Sequence, residues 1–287
     1  KENSEIRALL TDDEYNAAKS TMNDAFYTSP GIIRAIWKGV SRLGFKHGRI
    51  LDPSMGVGNF YGCMPRDMMA KSDLRGVELD NLTSRFAKML YPSAFVENKG
   101  FQDSKTPDNY FDLVISNIPF GQKKIDGYQV HNYFFANGID KVRPGGLMVF
   151  ITSQGSLIGG ADGARMRSYL AGKADMIAAY KLPDTAFSEA GTKVITDIII
   201  MRKRDKDNVQ SPYANDFRLV STYTQSGQYG GGSAPINQYF LDHPDKVLGF
   251  LKVEKNQYGK DVVTVKDIGT TDIEKKLERL MQLLPEG

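Results

Sequence analysis

Cysteine, histidine and tryptophan are scarce in this chain, whose 287 residues include one cysteine, three histidines and one tryptophan. The single cysteine, Cys63, excludes internal disulfide bonds and indicates a reducing compartment, so we expect a cytoplasmic protein. The three histidines, His47, His131 and His243, are too far apart in sequence to give a zinc-like spacing. We therefore expect no structural metal.

Long apolar runs are also absent from the sequence. No segment has the length that a membrane span needs, and the start K-E-N-S-E-I has no signal-peptide core. The first residue is not methionine, from which we expect an excised segment of a longer protein. A formal net charge of +3 permits a nucleic-acid partner but is too small to indicate one by itself. The sequence gives no indication of the oligomeric state.

Apolar residues make up 41% of the chain, and they occur as short segments that alternate with helical stretches. Residues 12–22 have a helical composition, and Pro30 is expected to open a second helix. Four strands are predicted after it: R-I-L-D (49–52), L-R-G-V-E-L-D (74–80), S-A-F-V-E (93–97) and F-D-L-V-I-S (111–116). This alternation predicts βαβ units, and hence a parallel sheet with helices on both faces.

The pattern continues to residue 204 and then weakens. It predicts a helix over 131–142 that ends at R-P-G-G, followed by the strands L-M-V-F-I-T, M-I-A-A-Y-K-L (176–182) and V-I-T-D-I-I-I-M (194–201). The glycine-rich stretch 225–235 is interpreted as a mobile segment or linker, and 272–284 as a charged amphipathic helix. These predictions divide the chain into an N-terminal helical segment (1–22), an α/β domain (23–205) and a C-terminal extension or linker toward a missing domain (206–287).

Polar groups suited to a ligand follow three successive predicted strands. Gly56 and Gly58, after the first strand, allow a tight turn and close approach of a ligand, although an ordinary strand–helix turn would also use them. Glu78 ends the second strand, where a carboxylate can bind ribose hydroxyls, and Asp103 follows the third, where it could accept from an adenine amino group. Either acid alone could be a solvated loop residue. Together these groups predict an adenosine-containing ligand across the carboxyl edge of the sheet.

The fourth strand ends in the unusual sequence V-I-S-N-I-P-F-G (114–121). Pro119 has a fixed φ and no N–H, and it restricts Ile118 to an extended conformation. The Ile118 carbonyl and the Asn117 side-chain oxygen then form two fixed acceptors, which match the two hydrogens of an exocyclic amino group. Phe120 adds a flat surface for stacking. The segment therefore predicts a site for a planar, amino-bearing substrate; the alternative is a strand-terminating turn with a core phenylalanine.

These motifs closely resemble those of the amino methyltransferases that use S-adenosylmethionine. N-I-P-F resembles their N/D-P-P-Y/F motif, D-P-S-M-G-V-G-N-F (52–60) their D-P-x-x-G-x-G-x-F loop, and F-Y-T-S-P (26–30) their upstream cofactor motif. The motif order, with F-Y-T-S-P first, is that of the gamma-type adenine-N6 DNA methyltransferases, including type I modification subunits. Residues 20–204 also resemble the methylase portion of large methylase–helicase proteins of bacterial plasmids, conjugative transposons and phages. Ile118 departs from the family pattern, because it replaces the first proline of N-P-P-F.

The resemblance implies a Rossmann-like α/β fold: a seven-stranded, mostly parallel sheet whose last strand, V-I-T-D-I-I-I-M, runs antiparallel, with helices on both faces. By motif, it assigns the methionine end of the cofactor to Phe26, Tyr27 and Thr28. It assigns the rest of the cofactor to Asp52, Ser54, Gly56, Gly58, Glu78, Phe101 and Asp103, with Glu78 on the ribose and the last two at the adenine. The target amino group is assigned to Asn117, Ile118, Pro119 and Phe120.

Three further residues are weaker candidates for substrate contact. Phe187 could stack on the other face of the target ring, or belong to the core. Lys123 and Lys124 could touch phosphates near a flipped base, or be solvated loop charges.

The implied activity is methyl transfer from S-adenosylmethionine to the N6 amino group of a flipped adenine in double-stranded DNA, by in-line attack without a covalent intermediate. Cys63 is then expected to be a small core residue and His131 to begin a helix. Glutamine or RNA amino-group methylation uses similar chemistry and stays open, as does a module that binds cofactor and DNA without turnover. A helicase in the full-length chain is a further expected partner, in the bacterial cytoplasm.

Overall fold

The computed structural model describes residues 11, 28–121, 123–186, 195–205, 207, 209–226, 231–267, 269 and 272–287. The predicted helix over 12–22 lies outside the described residues, as do Phe26, Tyr27 and Phe187.

Seven strands form one sheet in the spatial order β3-β2-β1-β4-β7-β9-β8. They are β1 (Arg49–Asp52), β2 (Asp73–Glu78), β3 (Phe95–Asn98), β4 (Phe111–Asn117), β7 (Val142–Ser153), β8 (Ala174–Leu182) and β9 (Thr196–Lys203). The pairs from β3 to β7 are parallel, whereas β9 runs antiparallel to both β7 and β8. The predicted sheet, including its antiparallel last strand, is therefore confirmed.

Helices cover both faces of this sheet. Those described are α1 (Pro30–Arg42), α2 (Asn59–Gly62), α3 (Arg66–Ala70), α4 (Asn81–Leu90), α5 (Val130–Lys141), α6 (Gly155–Ile158), α7 (Ala161–Ala171), α8 (Gln238–Asp242) and α9 (Ile273–Met281). Neighbouring strand residues point to opposite faces, so Val149 belongs to one apolar cluster and Phe150 to the other. The first cluster includes residues of α1, α4 and α9, and the second includes residues of α5, α7 and α8.

Helix α1 begins at a serine N-cap followed by a proline, both of which favour the start of a helix. Pro30 takes the first helical position, where its missing N–H removes no hydrogen bond. Ser29 is the N-cap, and its Oγ accepts a hydrogen bond from the Ile32 amide at 3.3 Å. The indole of Trp37 is buried and donates to the Phe60 carbonyl at 2.9 Å, which joins α1 to the segment that follows the glycine loop.

The remaining strands form three antiparallel hairpins. A short one, β5 (Lys124–Ile125) and β6 (Tyr128–Gln129), follows Phe120 directly. The C-terminal part contains β10 (Val220–Gln225) with β11 (Gly232–Asn237), and β12 (Phe250–Lys255) with β13 (Asp261–Lys266). Helix α9 then returns to pack along α1. The described part of the C-terminal extension thus contributes to both apolar clusters.

The interpretation of 225–235 as a linker is wrong for its described residues. Gln225 pairs with Gly232 across the β10–β11 hairpin, and Ala234 is buried in the second cluster. The physical reason for glycine at 232 is close packing, because a Cβ there would lie 2.8 Å from Val253 Cγ1 and 2.9 Å from an Asp261 carboxylate oxygen. Glycine here permits contact between two hairpins instead of flexibility.

The described residues contain neither a membrane-spanning helix nor a cluster of metal ligands. No helix in this part of the chain is long and apolar enough to span a membrane. No group of three or more histidine, cysteine, aspartate or glutamate side chains in the same residues could hold a metal ion.

Candidate active site

Three polar side chains stand at the carboxyl ends of three adjacent parallel strands. Asp52 ends β1, Glu78 ends β2 and Asn117 ends β4, and β1 lies between the other two. Ligands of open α/β sheets bind outside the carboxyl ends of the strands. The structure therefore brings these three predicted residues to one edge, the edge where the fold class places its ligands.

The glycine loop after β1 has two residues with left-handed backbone. Gly56 has φ of +56° and Gly58 has φ of +89°. A Cβ at Gly58 would lie 2.3 Å from a ring carbon of Tyr91, so this glycine permits close packing inside the protein. A Cβ at Gly56 would meet nothing within 4 Å, so this glycine faces open space. Only Gly56 thus lies where a ligand can approach the backbone closely.

Asp52 is almost fully buried below this loop. Its Oδ1 accepts hydrogen bonds from Ser116 Oγ at 2.6 Å and from the Ser54 amide at 3.2 Å. Burial raises the pKa of Asp52 to about 7, against the lowering effect of the Ser116 and Ser54 hydrogen bonds, and the charge of Glu78 raises it further. A carboxylate so placed would gain from a nearby positive charge.

Glu78 ties the loop to the end of β2. One of its carboxylate oxygens accepts from the Gly56 amide at 2.8 Å, and the other accepts from the Asp80 amide at 2.8 Å. Burial raises its pKa, although both backbone hydrogen bonds oppose the shift. Asn98, at the end of β3, donates to the carbonyls of Glu78 and Leu79, each at 3.0 Å. The Glu78 carboxylate is therefore held in one orientation.

Asp103 and Phe101 lie in a 3₁₀ turn after β3, but they face different surroundings. Phe101 is buried in the second cluster, with its ring centroid 5.1 Å from that of Phe134. Asp103 is exposed and accepts from Gln102 Nε2 at 2.8 Å. The Asp103 side chain can thus meet a ligand, whereas the Phe101 ring is held in the core.

Asn117 joins two motifs that are far apart in sequence. Its Nδ2 donates to Oγ1 of Thr28 at 3.1 Å, and Thr28 is buried. Thr28 belongs to the F-Y-T-S-P segment (26–30), so the structure brings the described end of that segment to the end of β4. In this geometry the amide nitrogen of Asn117 faces Thr28, and the amide oxygen lies on the other side.

Ile118 occupies the position where the resemblance would have proline. Its side chain is 1% exposed in the second cluster, and its amide donates to the Ile151 carbonyl at 3.0 Å. The isoleucine thus adds a core contact and a hydrogen bond to β7 that proline could not make. Pro119 and Phe120 are half-buried. The backbone at Ile118 is consequently anchored from both sides.

The β5–β6 hairpin carries the two predicted phosphate-contact lysines, Lys123 and Lys124, both exposed. Asp162, at the start of α7, accepts from the Gln129 amide at 2.9 Å and from Asn132 Nδ2 at 2.6 Å. Arg165 donates to the Gly127 carbonyl at 2.9 Å, and its guanidinium lies 3.8 Å from the centre of the Tyr128 ring. The hairpin is therefore clamped to α7.

Cys63 and His131 are two residues that the sequence does not assign to the site. Cys63 is half-buried and packs against the first apolar cluster, as a small structural residue would. His131 is the second residue of α5 and is buried, and burial lowers its pKa. No hydrogen-bond partner of its Nδ1 is found among the described residues.

Sequence reasoning missed the residues that hold the site in place, chiefly Ser116, Asn98 and Asp162. Ser116 directly follows the apolar run L-V-I (113–115) of β4, and a polar residue at this point of a buried strand was the available signal. Its contact with Asp52 depends on β4 lying next to β1, an arrangement that the strand sequences do not contain.

The residues present fit an adenosine-containing cation. Gly56 faces open space and Glu78 is oriented beside it. Burial raises the pKa of both the Asp52 and the Glu78 carboxyl groups, and a positively charged ligand would favour their ionised forms.

Comparison with known proteins places this geometry in context. A family model described as N-6 DNA Methylase matches residues 10–281. The chain is also 30% identical over 208 residues to the Defense against restriction protein B of Escherichia phage P1. That match covers 68% of this chain but spans only 9% of the phage protein.

Solved structures share the fold. A putative class I S-adenosylmethionine-dependent methyltransferase from Listeria monocytogenes superposes with a TM-score of 0.57 at 22% identity, over 66% of this chain and 64% of that one. A type I restriction-modification methyltransferase subunit from Streptococcus thermophilus gives 0.54 at 20% identity, over 63% and 45%. S-adenosylmethionine, the cofactor predicted from the sequence, is the one named for the Listeria protein.

Proposed function

The chain belongs to the N-6 DNA methylase family, and we propose that it transfers a methyl group from S-adenosylmethionine to the N6 amino group of adenine in double-stranded DNA. The observation that carries this proposal is the hydrogen bond between Asn117 and Thr28. It joins the target motif to the upstream cofactor motif, at the sheet edge that also holds Asp52 and Glu78.

Binding of the cofactor is divided among the strand ends. Glu78 accepts the ribose hydroxyls, and Asp103 accepts from the adenine amino group. Asp52, Ser54 and Gly56 line the middle of the cofactor, and Gly58, which packs against Tyr91, allows the turn of the loop. The F-Y-T-S-P segment, with Phe26, Tyr27 and Thr28, encloses its methionine end. When bound, S-adenosylmethionine supplies an electrophilic methyl group on a sulfonium.

Asn117 and the Ile118 carbonyl hold the target nitrogen. Both accept its hydrogens, so the nitrogen lone pair is turned toward the methyl group. The support for this role is that both acceptors are fixed, Asn117 by Thr28 and Ile118 by β7. Placement of two reactants supplies roughly 7–11 kcal/mol of a barrier, so neither a covalent intermediate nor a catalytic thiol is needed.

Reaching the adenine amino group in a duplex requires extrusion of the base. Phe120 stacks on the extruded ring, with Phe187 as the proposed partner on its other face, and each stack contributes roughly 1–3 kcal/mol. Lys123 and Lys124 contact the neighbouring phosphates from the clamped hairpin. The resemblance to methylase–helicase proteins adds a helicase of the same longer chain as a proposed partner, in the bacterial cytoplasm.

The test is transfer of a tritiated methyl group from labelled cofactor to DNA, RNA or protein. We expect label in DNA, and we expect Asn117→Ala to abolish transfer while cofactor affinity changes by less than about tenfold, the effect of one hydrogen bond. Asn137→Ala is the control. Asn137 is a half-buried asparagine on α5, and its side chain donates at 3.1 Å to Oη of Tyr133, a residue of the same helix.

Each other outcome has a definite meaning. Label in RNA or in a glutamine side chain would replace DNA by one of those substrates, since both carry planar amino groups. Cofactor and DNA binding without any transfer would make the chain a binding module. A fully active Asn117→Ala variant would remove the amino-group clamp from the mechanism.

A further inference from the structure

Three carboxylates in the C-terminal segment contact α1, two on α9 and one after it. Glu274 accepts a hydrogen bond from Ser29 Oγ at 2.6 Å, although the two residues are 245 positions apart. One turn further, Glu278 pairs with Lys38, and beyond α9 Glu286 pairs with Arg42 at 3.1 Å. Only the first of these contacts lies at the beginning of α1, next to the candidate site.

The Glu274 carboxylate packs against the backbone of α1 at Gly31. Gly31 has no side chain, and a Cβ at this position would lie 1.7 Å from Oε2 of Glu274 and 2.4 Å from Oε1. The carboxylate therefore fills the space that any larger residue at position 31 would occupy. It also lies at the positive end of the α1 dipole, where a negative charge is stabilising.

Ser29 connects this carboxylate to the site. Its Oγ donates to Glu274 and accepts from the Ile32 amide, so the hydroxyl is fixed from both sides. The preceding residue is Thr28, whose Oγ1 accepts from Asn117. Ser29 is thus held by a hydrogen bond to the C-terminal helix, and Thr28, the residue before it, by a hydrogen bond from the target motif.

From this arrangement we propose that Glu274 is a positioning residue for Thr28 and Ser29, the described residues of the F-Y-T-S-P segment that precede α1. Its hydrogen bond with Ser29 fixes the start of α1. It thereby also fixes the position of Thr28, the preceding residue, relative to Asn117. This role rests on the proposed function, in which the F-Y-T-S-P segment binds the methionine end of S-adenosylmethionine. It makes the cofactor site depend on a helix more than 240 residues away in sequence.

Packing of α9 does not depend on Glu274. Leu277, Leu280 and Met281 are buried in the first apolar cluster with α1, and they hold the helix in place. Glu278 supplies a matched control on the same two helices, because it pairs with Lys38 and does not touch Ser29. Loss of Glu278 therefore measures the effect of a carboxylate contact between α9 and α1 alone.

The first measurement uses the chain without cofactor. Hydrogen exchange of the peptide spanning residues 26–33 should be faster by about 3- to 10-fold in Glu274→Ala, the effect of one lost hydrogen bond to a charged group at a partly exposed position. It should be unchanged in Glu278→Ala, and Glu274→Gln, which keeps an acceptor oxygen, should restore most of the protection.

The second measurement is the affinity for S-adenosylmethionine by calorimetry. The dissociation constant should rise by about 3- to 10-fold in Glu274→Ala and stay unchanged in Glu278→Ala, while the KM for DNA is the same in both. Gly31→Ala should reproduce the effect by displacing the carboxylate, and should add nothing in a Glu274→Ala background.

The results separate the two proposals. Equal effects of Glu274→Ala and Glu278→Ala, or no effect of either on exchange and affinity, would overturn the role of Glu274. A wild-type chain that binds no S-adenosylmethionine would instead overturn the proposed cofactor, while the exchange measurement would still decide whether Glu274 orders the segment.

Discussion

At the scale of single residues, the folded protein disfavours the charged form of Asp52. Burial raises its pKa from 3.8 to about 7, so the folded chain binds this proton more tightly than the unfolded chain does. The stability linked to Asp52 is therefore full below about pH 4 and is lost as the pH rises toward 7. A bound cation would reverse this penalty by favouring the ionised form.

We predict that the affinity for S-adenosylmethionine rises with pH up to about 7 and is then constant, because the sulfonium favours ionised Asp52. The slope should approach about tenfold per pH unit below the pKa, the limit for one linked proton. Calorimetry across the pH range measures it, and Asp52→Asn should flatten the profile. An unchanged slope in Asp52→Asn would assign the linkage to another group.

Glu78 gives the second residue-scale prediction. Glu78→Ala should weaken cofactor binding by roughly 1.5–3 kcal/mol, because the ribose loses a charged acceptor. The amide of Gly56 also loses its acceptor, so the glycine loop should become more mobile. Glu78→Gln, which keeps one acceptor oxygen, should fall between Ala and wild type. Calorimetry gives the affinities, and wild-type affinity in folded Glu78→Ala would exclude Glu78 from the site.

The sequence predicted the position of these residues better than their contacts. Asp52, Glu78 and Asn117 each end an apolar segment, and parallel strands bring such ends to one edge. The Asn117–Thr28 bond and the Ser116–Asp52 bond depend on the spatial order of strands and helices, which local patterns do not contain. Burial of the Phe101 ring was missed for the same reason, since α5 supplies its neighbour Phe134.

At the scale of secondary-structure elements, the seven strands of the main sheet and helices α1 and α5 were predicted from their apolar segments and helix signals, whereas the β5–β6 hairpin and helices α6 and α7 were not. The predicted helix over 131–142 is α5, Val130–Lys141, and the strand after it already begins at Val142. Beyond residue 204 the strands are short and only partly buried, as the alternating exposure of β10 illustrates. Their stability comes from packing on other elements, and the pattern of their own residues is therefore weak.

The β5–β6 hairpin gives a prediction about DNA. Asp162→Ala removes the hydrogen bonds that Asp162 accepts from the Gln129 amide and from Asn132, together with an exposed ion pair to Arg165 on its own helix. It therefore frees the hairpin at Lys123 and Lys124. Each lost bond corresponds to about 0.5–1.5 kcal/mol, so the KM for DNA should rise by roughly 5- to 50-fold with cofactor affinity unchanged. Methyl-transfer kinetics and calorimetry measure the two quantities.

A matched control lies at the other end of α5, the helix that carries Asn132. Asp108 accepts from Lys141, the last residue of α5, and Asp108→Ala should leave the KM for DNA unchanged. The exposed position of Asp108 makes a loss of stability small. Equal KM values in Asp162→Ala and wild type would mean that the hairpin does not contact DNA.

At the scale of the whole molecule, the C-terminal segments are built into the same apolar clusters as the sheet. Leu277 of α9 lies in the cluster that contains Trp37, and Val265 of β13 lies in the cluster that contains Phe150. Backbone hydrogen bonds add to these contacts, including that from the Leu248 amide to the Lys181 carbonyl at 2.9 Å. We therefore expect the described chain to unfold as one cooperative unit.

Two leucines near the C-terminus allow a matched test of this expectation. Leu277 is 0% exposed and Leu283 is 72% exposed. Leu277→Ala should lower the free energy of unfolding by about 2–5 kcal/mol, because it leaves a cavity between α9 and α1. Leu283→Ala should change it by less than about 0.5 kcal/mol, because its side chain is already in water.

Denaturant unfolding followed by Trp37 fluorescence and by circular dichroism measures both variants. Trp37 is the only tryptophan and is buried on α1, in the apolar cluster that also contains Leu277. Its fluorescence therefore reports the packing of that cluster around α1, whereas circular dichroism reports the sheet and all helices. Coincident transitions, shifted together by Leu277→Ala, are expected if the C-terminal helix is part of one folding unit. If the fluorescence transition of Leu277→Ala moved to lower denaturant while the circular dichroism transition stayed in place, α9 would be a separately unfolding attachment. The proposed coupling from Glu274 to the cofactor segment would then act through a contact that can open without loss of the sheet.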